Sequence, residues 1–166
     1  MKFITLDKKG IIEYQQNRDP YLFVDHANKI FPGKSCEGYK DLKEDEWFFK
    51  VHWPNDPNMP GMLQIEALTQ LSALSILTLP GNKGELMYLV SANNLVFKKK
   101  VLPKTRFYMK SDVISYSRGI AKFNAKGLIE NELVCSANIN LVLPKEINKG
   151  NNSMQVKYLP QRARRV

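Results

Sequence analysis

The sequence predicts an α+β domain in which one long buried helix packs against an antiparallel sheet. Three observations carry this. Apolar side chains go most of the way round a helix over Met59–Leu79, and a helix apolar on nearly every side belongs inside a protein. Four segments after that helix have the β-rich, partly alternating pattern of strands. A length of 166 residues suffices for one domain with a real core and is short for two.

The elements follow in order. A polar run, Gln15-Gln16-Asn17-Arg18-Asp19, leads through Pro20 into an apolar cluster. Phe23–Phe31 is expected as a strand, Pro32-Gly33 as a turn, and Ser35–Lys40 as a short second strand. Trp47–Val51 is apolar and aromatic and runs into His52. The helix over Met59–Leu79 has Pro60 in its first turn, where a missing N–H costs nothing, and Pro80-Gly81 closes it. Strands are expected over Glu85–Phe97, Arg106–Tyr116, Gly119–Leu128 and Glu132–Leu143. In the last of these Leu133, Cys135, Ala137, Ile139 and Leu141 share one face. Ser117-Arg118-Gly119 and Glu130-Asn131-Glu132 fit hairpin turns. The sum is a sheet of five to six strands curved around one helix, a domain over residues 1–147 followed by a basic tail over 148–166.

Composition narrows the class. The hydrophobic share of 43% and charged share of 25% are ordinary for a globular protein, whereas the net charge of +9 is not. Such a balance fits an acidic partner (nucleic acid, anionic lipid or acidic protein) or simple solubility with a solvated tail. Cys36 and Cys135 stand far apart with no Cys/His cluster, so zinc spacing is absent. The apolar run Phe3–Leu6 is too short for a signal peptide, and nothing approaches the roughly 18 apolar residues of a membrane span. A cytoplasmic, reduced protein without membrane insertion is expected.

The chemistry concentrates between His52 and Gln70. His52 is either a general base, since an imidazole titrates near neutrality, or a packed loop histidine beside Trp53. Glu66 is the only charge of the helix. A carboxylate in apolar surroundings is pushed toward its protonated form and becomes a usable proton donor. Alternatively it reaches solvent or pairs with a base. Met59-Pro60-Gly61-Met62 opens the helix, where free N–H groups either polarise a carbonyl or simply begin a helix. Lys98-Lys99-Lys100 with Lys104 and Arg106 is a basic surface or a solvated face. There is no Gly-rich phosphate loop, no H-E-x-x-H and no G-x-S-x-G elbow.

Taken together these residues resemble a family. His52-Trp53-Pro54, Met59-Pro60-Gly61 and Glu66-Ala67-Leu68-Thr69-Gln70 are similar to the signature of the β-hydroxyacyl-acyl carrier protein dehydratases, with the same histidine-to-glutamate spacing. Arg18–Asp25, Phe97–Pro103 and Ser117–Phe123 resemble three further blocks of that family in the same order. The resemblance covers roughly residues 12 to 143. It implies a hot-dog fold and a homodimer, or a trimer of dimers, in which the histidine of one subunit faces the glutamate of the other. It implies that His52 takes the C2 proton of a 3-hydroxyacyl thioester and that Glu66 handles the proton of the leaving hydroxyl. The Gly61 N–H would hold the thioester carbonyl and Gln70 would orient Glu66. No metal or redox cofactor is implied. The substrate rides on the phosphopantetheine arm of an acyl carrier protein, an acidic partner that suits the charge better than nucleic acid does. Lys98, Lys99, Lys100 and Arg106 are the candidate docking residues for it. The alternatives are a non-catalytic subunit that binds acyl chains or the carrier protein, and a hot-dog thioesterase.

The chain also departs from the family pattern. Trp53 replaces a Phe, Asn55-Asp56-Pro57 a Gly-x-Pro, Asp19 a Tyr, and Lys100 and Lys104 a Pro and a Gly. Val51 stands where a Gly commonly precedes the histidine, so a differently placed backbone is expected there.

Overall fold

The helix at the centre is sealed in by the sheet that curves around it. A computed structural model describes residues 2–150 of the chain. Seven strands form one sheet in the order β1-β2-β3-β5-β6-β7-β4, with every neighbouring pair antiparallel. They are β1 (Ile4–Asp7), β2 (His26–Phe31), β3 (Ser35–Leu42), β4 (Tyr88–Phe97), β5 (Thr105–Ser117), β6 (Ile120–Ile129) and β7 (Glu132–Val142). The helices are α1 (Lys8–Tyr14), α2 (Trp47–Val51), α3 (Gly61–Leu77) and α4 (Pro144–Gly150). The basic residues expected in a tail fall mostly beyond α4, and residues 151–166 lie outside the described residues.

α3 is the expected helix, shortened by two residues at each end. Pro60 caps it from outside instead of occupying its first turn. Of its 17 residues 13 are buried, so its polar side chains must find partners within the fold. Thr69 and Ser72 donate back to the carbonyls of Ile65 and Leu68 one turn earlier. Ser72 also meets Ser111 of β5 at 2.6 Å. The Gly33 N–H of the β2–β3 turn donates to the Ser75 carbonyl at 2.7 Å, locking that turn to the helix.

The two hairpin turns take the conformation their residues favour. Arg118-Gly119 and Glu130-Asn131 are both left-handed, with φ between 50° and 76°. Two left-handed residues make the turn that follows the natural twist of a hairpin. They set the registers Ser117↔Ile120 and Ile129↔Glu132. Cys135, Ala137, Ile139 and Leu141 face the core as expected.

The structure adds one strand, β1, and three short helices, α1, α2 and α4, that the sequence did not announce. β1 extends the sheet beyond β2. Asp7 caps α1, its Oδ1 accepting the Gly10 N–H at 2.8 Å. The expected strand over Phe23–Phe31 begins only at His26, because Phe23 is spent on a contact with α3. Trp47–Val51 is a short helix that buries Phe48 and Phe49.

Close approach of α3 to the sheet depends on Gly38 of β3. A Cβ there would lie 2.4 Å from the His26 carbonyl oxygen and 2.7 Å from Leu71 Cδ1 of α3. Gly38→Ala should therefore destabilise the protein by about 1–3 kcal/mol through overpacking. A lower denaturant midpoint with an unchanged m-value is the expected signature, and an unshifted midpoint would contradict it.

Candidate active site

Glu66 sits one and a half turns into α3, where the sheet leaves a gap. It lines a cavity of about 290 Å³ with Thr69, Gln70, Ala73 and Leu77 of the same helix face. Across from them stand Gln15, Gln16 and Asn17, residues 85–89 leading into β4, and Leu141 of β7. Burial pushes the Glu66 carboxyl above the ordinary carboxylate range, and the Gln70 hydrogen bond opposes that only in part.

Gln70 is what holds Glu66. Its Nε2 donates to Glu66 Oε1 at 2.9 Å and to the Tyr21 carbonyl at 2.9 Å. Its Oε1 accepts the Phe23 N–H at 2.8 Å. A buried amide with both ends engaged cannot rotate freely, so the carboxylate keeps one orientation. The Tyr21–Phe23 half of this clamp was not visible in the sequence. Tyr21 feels the same neighbourhood, its phenol pushed up by burial and then by the charge of Glu66.

Gly61 is the first residue of α3, and its N–H has no acceptor within the helix. It must be small, because a Cβ would meet the Phe97 ring at 2.9 Å. β4 therefore lies directly against the helix start.

His52 ends α2, its N–H donating to the Phe48 carbonyl at 2.9 Å. Its ring is partly exposed and stacks on Trp53, with centroids 4.3 Å apart. Nδ1 lies 2.9 Å from the Asn58 carbonyl oxygen. A carbonyl only accepts, so Nδ1 carries the proton and Nε2 keeps its lone pair. Asn58 is itself pinned, since its Oδ1 takes the Val101 N–H at 2.9 Å while the Met59 N–H donates to the Val101 carbonyl at 2.8 Å. Asn58 was not singled out in the sequence, although it lies between the histidine and Met59-Pro60-Gly61.

Val51 does not disturb this arrangement. It closes α2 without a left-handed φ, and the left-handed residue of the loop is Trp53, with φ of 53°. The N-terminal end of α2 is anchored by Glu46, which pairs with the buried Lys40 ammonium at 3.1 Å.

The structure does not bring His52 and Glu66 together within one chain. His52 is not among the residues that line the cavity of Glu66. The basic run is also less free than its sequence implied. Lys100 pairs with Asp56 at 2.5 Å, Arg106 holds Asp41 through two hydrogen bonds, and Lys99 pairs with Glu132. Lys104 pairs with Glu44. Among the described residues Lys98 has no acidic partner.

Both cysteines are buried and unpaired, and burial raises their thiols, that of Cys135 to about 12. Among the described residues no three His, Cys, Asp or Glu side chains gather where they could hold a metal ion. Among the same residues no helix is long and apolar enough to cross a membrane.

Comparison with known proteins places the chain. Residues 16–138 match the family described as FabA-like domain. The chain is 34% identical over 134 residues to the 3-hydroxyacyl-acyl-carrier-protein dehydratase FabZ of Bacillus licheniformis, covering 81% of this chain and 93% of the relative. It is 36% identical over 132 residues to the FabZ dehydratase of Clostridium tetani, covering 76% and 93%. Among solved structures the dehydratase heterocomplex ApeI:P of Xenorhabdus doucetiae superposes with a TM-score of 0.71 over 84% of this chain and 95% of that one. At 10% identity that likeness speaks for the hot-dog fold alone.

The raised carboxyl of Glu66 makes a prediction about stability. The folded protein binds a proton that the unfolded chain releases at lower pH, so stability falls as pH climbs from the ordinary carboxylate value through the raised one. Glu66→Gln keeps the hydrogen bond to Gln70 and removes the titration. The variant should match the parent in acid and melt at higher temperature above that window. A difference in Tm that does not change with pH would contradict the assignment.

Proposed function

The chain belongs to the FabA-like family, and on that premise we propose a dehydratase whose active sites are each shared between two copies of the chain. The reaction is the elimination of water from a 3-hydroxyacyl thioester on an acyl carrier protein, giving a trans-2-enoyl thioester. The observation that carries the shared site is the separation of the two reacting groups. One chain holds a base on the α2 loop and an acid in the α3 cavity, and the two do not line a common space.

β4 supports the position of the second copy. It is the last strand of the sheet and pairs on one side only. Leu89, Val90, Val96 and Phe97 on it are exposed, which is unusual for an edge that faces only water. The edge also runs along both ends of the candidate site, with Tyr88 and Leu89 at the cavity and Phe97 at Gly61. A second copy seated there brings its own His52 loop toward Glu66, and symmetry yields two equal sites.

The steps follow from the groups. His52 Nε2 takes the proton from C2 of the substrate, and the C2–H electron pair moves toward the thioester carbonyl. The Gly61 N–H, at the positive end of α3, stabilises the charge that develops on that oxygen. The C3–O bond then breaks as the protonated Glu66 of the other copy donates to the leaving hydroxyl, which departs as water. Burial raises the Glu66 carboxyl and favours the proton-bearing form that the donation needs, and Gln70 aims it. A proton returning from His52 to Glu66 resets the site. The acyl chain lies in the cavity along α3. Lys98 is the basic residue of its run best placed to meet an acidic carrier protein, since its neighbours are already paired.

His52→Ala and Glu66→Ala should each lower kcat by roughly 100-fold or more in an assay for enoyl thioester formed from a 3-hydroxyacyl-carrier protein, with folding retained by circular dichroism. Mixing the two inactive variants should restore about a quarter of the parental activity, because half of randomly paired dimers hold one intact site. Recovery of no activity from the mixture, with exchange of subunits verified, would place both groups in a single chain. Lys98→Glu should raise KM for the carrier-bound substrate and leave turnover of the corresponding pantetheine thioester unchanged. An equal effect on both substrates would remove Lys98 from carrier docking.

A further inference from the structure

Elimination leaves Gln15 without a role. Among the described residues four buried side-chain atoms have no hydrogen-bond partner: Gln15 Nε2, His26 Nδ1, Gln64 Oε1 and Tyr116 OH. Of these four residues only Gln15 lines the cavity that holds Glu66. It is 3% exposed. A buried amide without a partner loses its hydration and regains nothing.

Its place in the cavity is fixed. The strand of chain over residues 14–23 runs beside α3 in the opposite direction. At one end Tyr21 and Phe23 hold Gln70. At the other the Gly84 N–H donates to the Tyr14 carbonyl at 3.2 Å and Gln16 Nε2 to the Gly84 carbonyl at 3.0 Å. Gly84 follows the C-terminal end of α3, so Gln15 stands toward that end, away from Glu66. Glu66 and Leu77 bound the helix face of the cavity, about 16 Å apart at the helical rise. The Arg18 guanidinium donates to the carbonyls of Gln15 and Asn17 at 2.8 and 2.9 Å and holds the turn in place.

The lining of the cavity beyond Glu66 is therefore mixed. Ala73, Leu77 and Leu141 are apolar, while Gln15, Gln16 and Asn17 are polar. A saturated chain packs on the apolar residues and leaves Gln15 Nε2 without a partner. The terminal torsion of a glutamine is soft, so the amide can turn to meet an oxygen beside it. Resting on the reading that this cavity takes the acyl chain, we propose that Gln15 is a specificity-determining residue that recognises an oxygen function, hydroxyl or keto, on the distal part of the substrate. The preferred substrate class is then an oxygenated 3-hydroxyacyl thioester.

The test compares carrier-bound 3-hydroxyacyl chains of equal length that are saturated or carry one further hydroxyl or keto group at graded distal positions. At one position the oxygenated chain should be preferred by about tenfold or more in kcat/KM, and Gln15→Leu should bring that ratio to near one. Thermal shifts of the protein with the matching acyl-pantetheines should rank the chains in the same order without turnover. A binding preference without turnover would therefore sink the dehydratase reading and keep the role of Gln15. Equal handling of saturated and oxygenated chains by the parent protein overturns the proposal. So does a preference that survives in Gln15→Leu, or in Gln15→Met should the leucine variant not fold.

Discussion

A helix sealed on nearly every side can keep a carboxylate only where the fold opens beside it and something holds the group there. That constraint organises the rest of the structure. α3 supplies the core with apolar side chains and returns its hydroxyls to its own backbone. Glu66 can do neither. It faces a gap that the sheet leaves along this helix face, and Gln70 ties it to the Tyr21–Phe23 segment. The burial that strains the charged form of Glu66 is the same burial that shifts its carboxyl toward the protonated form. Core and acid are two consequences of one buried helix.

His52 obeys a different constraint. In its proposed role as base it must be reachable, and its ring is partly exposed outside the core and takes its geometry from the loop. Three layers provide it. The buried Lys40–Glu46 pair fixes the start of α2, the Asn58 carbonyl fixes the imidazole tautomer, and the backbone pairing of Met59 with Val101 fixes Asn58. Both groups are held by hydrogen bonds, Glu66 through Gln70 beside the core and His52 through Asn58 in the loop. Within one chain they do not line a common cavity, and in the proposed reading a second copy opposes them.

The sequence revealed what periodicity and turn chemistry control. α3 was legible because apolar side chains go most of the way round a helix over the 21 residues Met59–Leu79. The β5–β6 and β6–β7 hairpins were legible because Arg118-Gly119 and Glu130-Asn131 suit left-handed turns. α1 was not, since it is seven residues long with a glycine inside and only Ile11 buried. β1 was hidden for a similar reason: an edge strand of four residues alternates too briefly to be told from loop. His52, Glu66 and the helix start at Gly61 stood out by their own chemistry with alternatives open, and their joint roles, with that of Gln70, were legible only through spacing that resembled a family. The partners that give them geometry, Asn58, Tyr21 and Phe23, contribute mostly backbone groups, and backbone groups carry no residue signature.

The departures from the family pattern bear on whether the site survives them. Taken one at a time along the sequence they resemble erosion around His52. In space one of them finds a partner. Lys100, from the altered block before β5, pairs at 2.5 Å with Asp56, which stands at the variable position of the loop after the histidine. Lys104 pairs with Glu44 and Asp19 with Lys8. Exposed pairs of this kind add little stability, on the order of 0–1 kcal/mol each, so folding energy does not account for them. Asp56–Lys100 does span the same gap as the hydrogen bonds between Asn58, Met59 and Val101. It adds a third tie between the histidine loop and the strand connection that supports it.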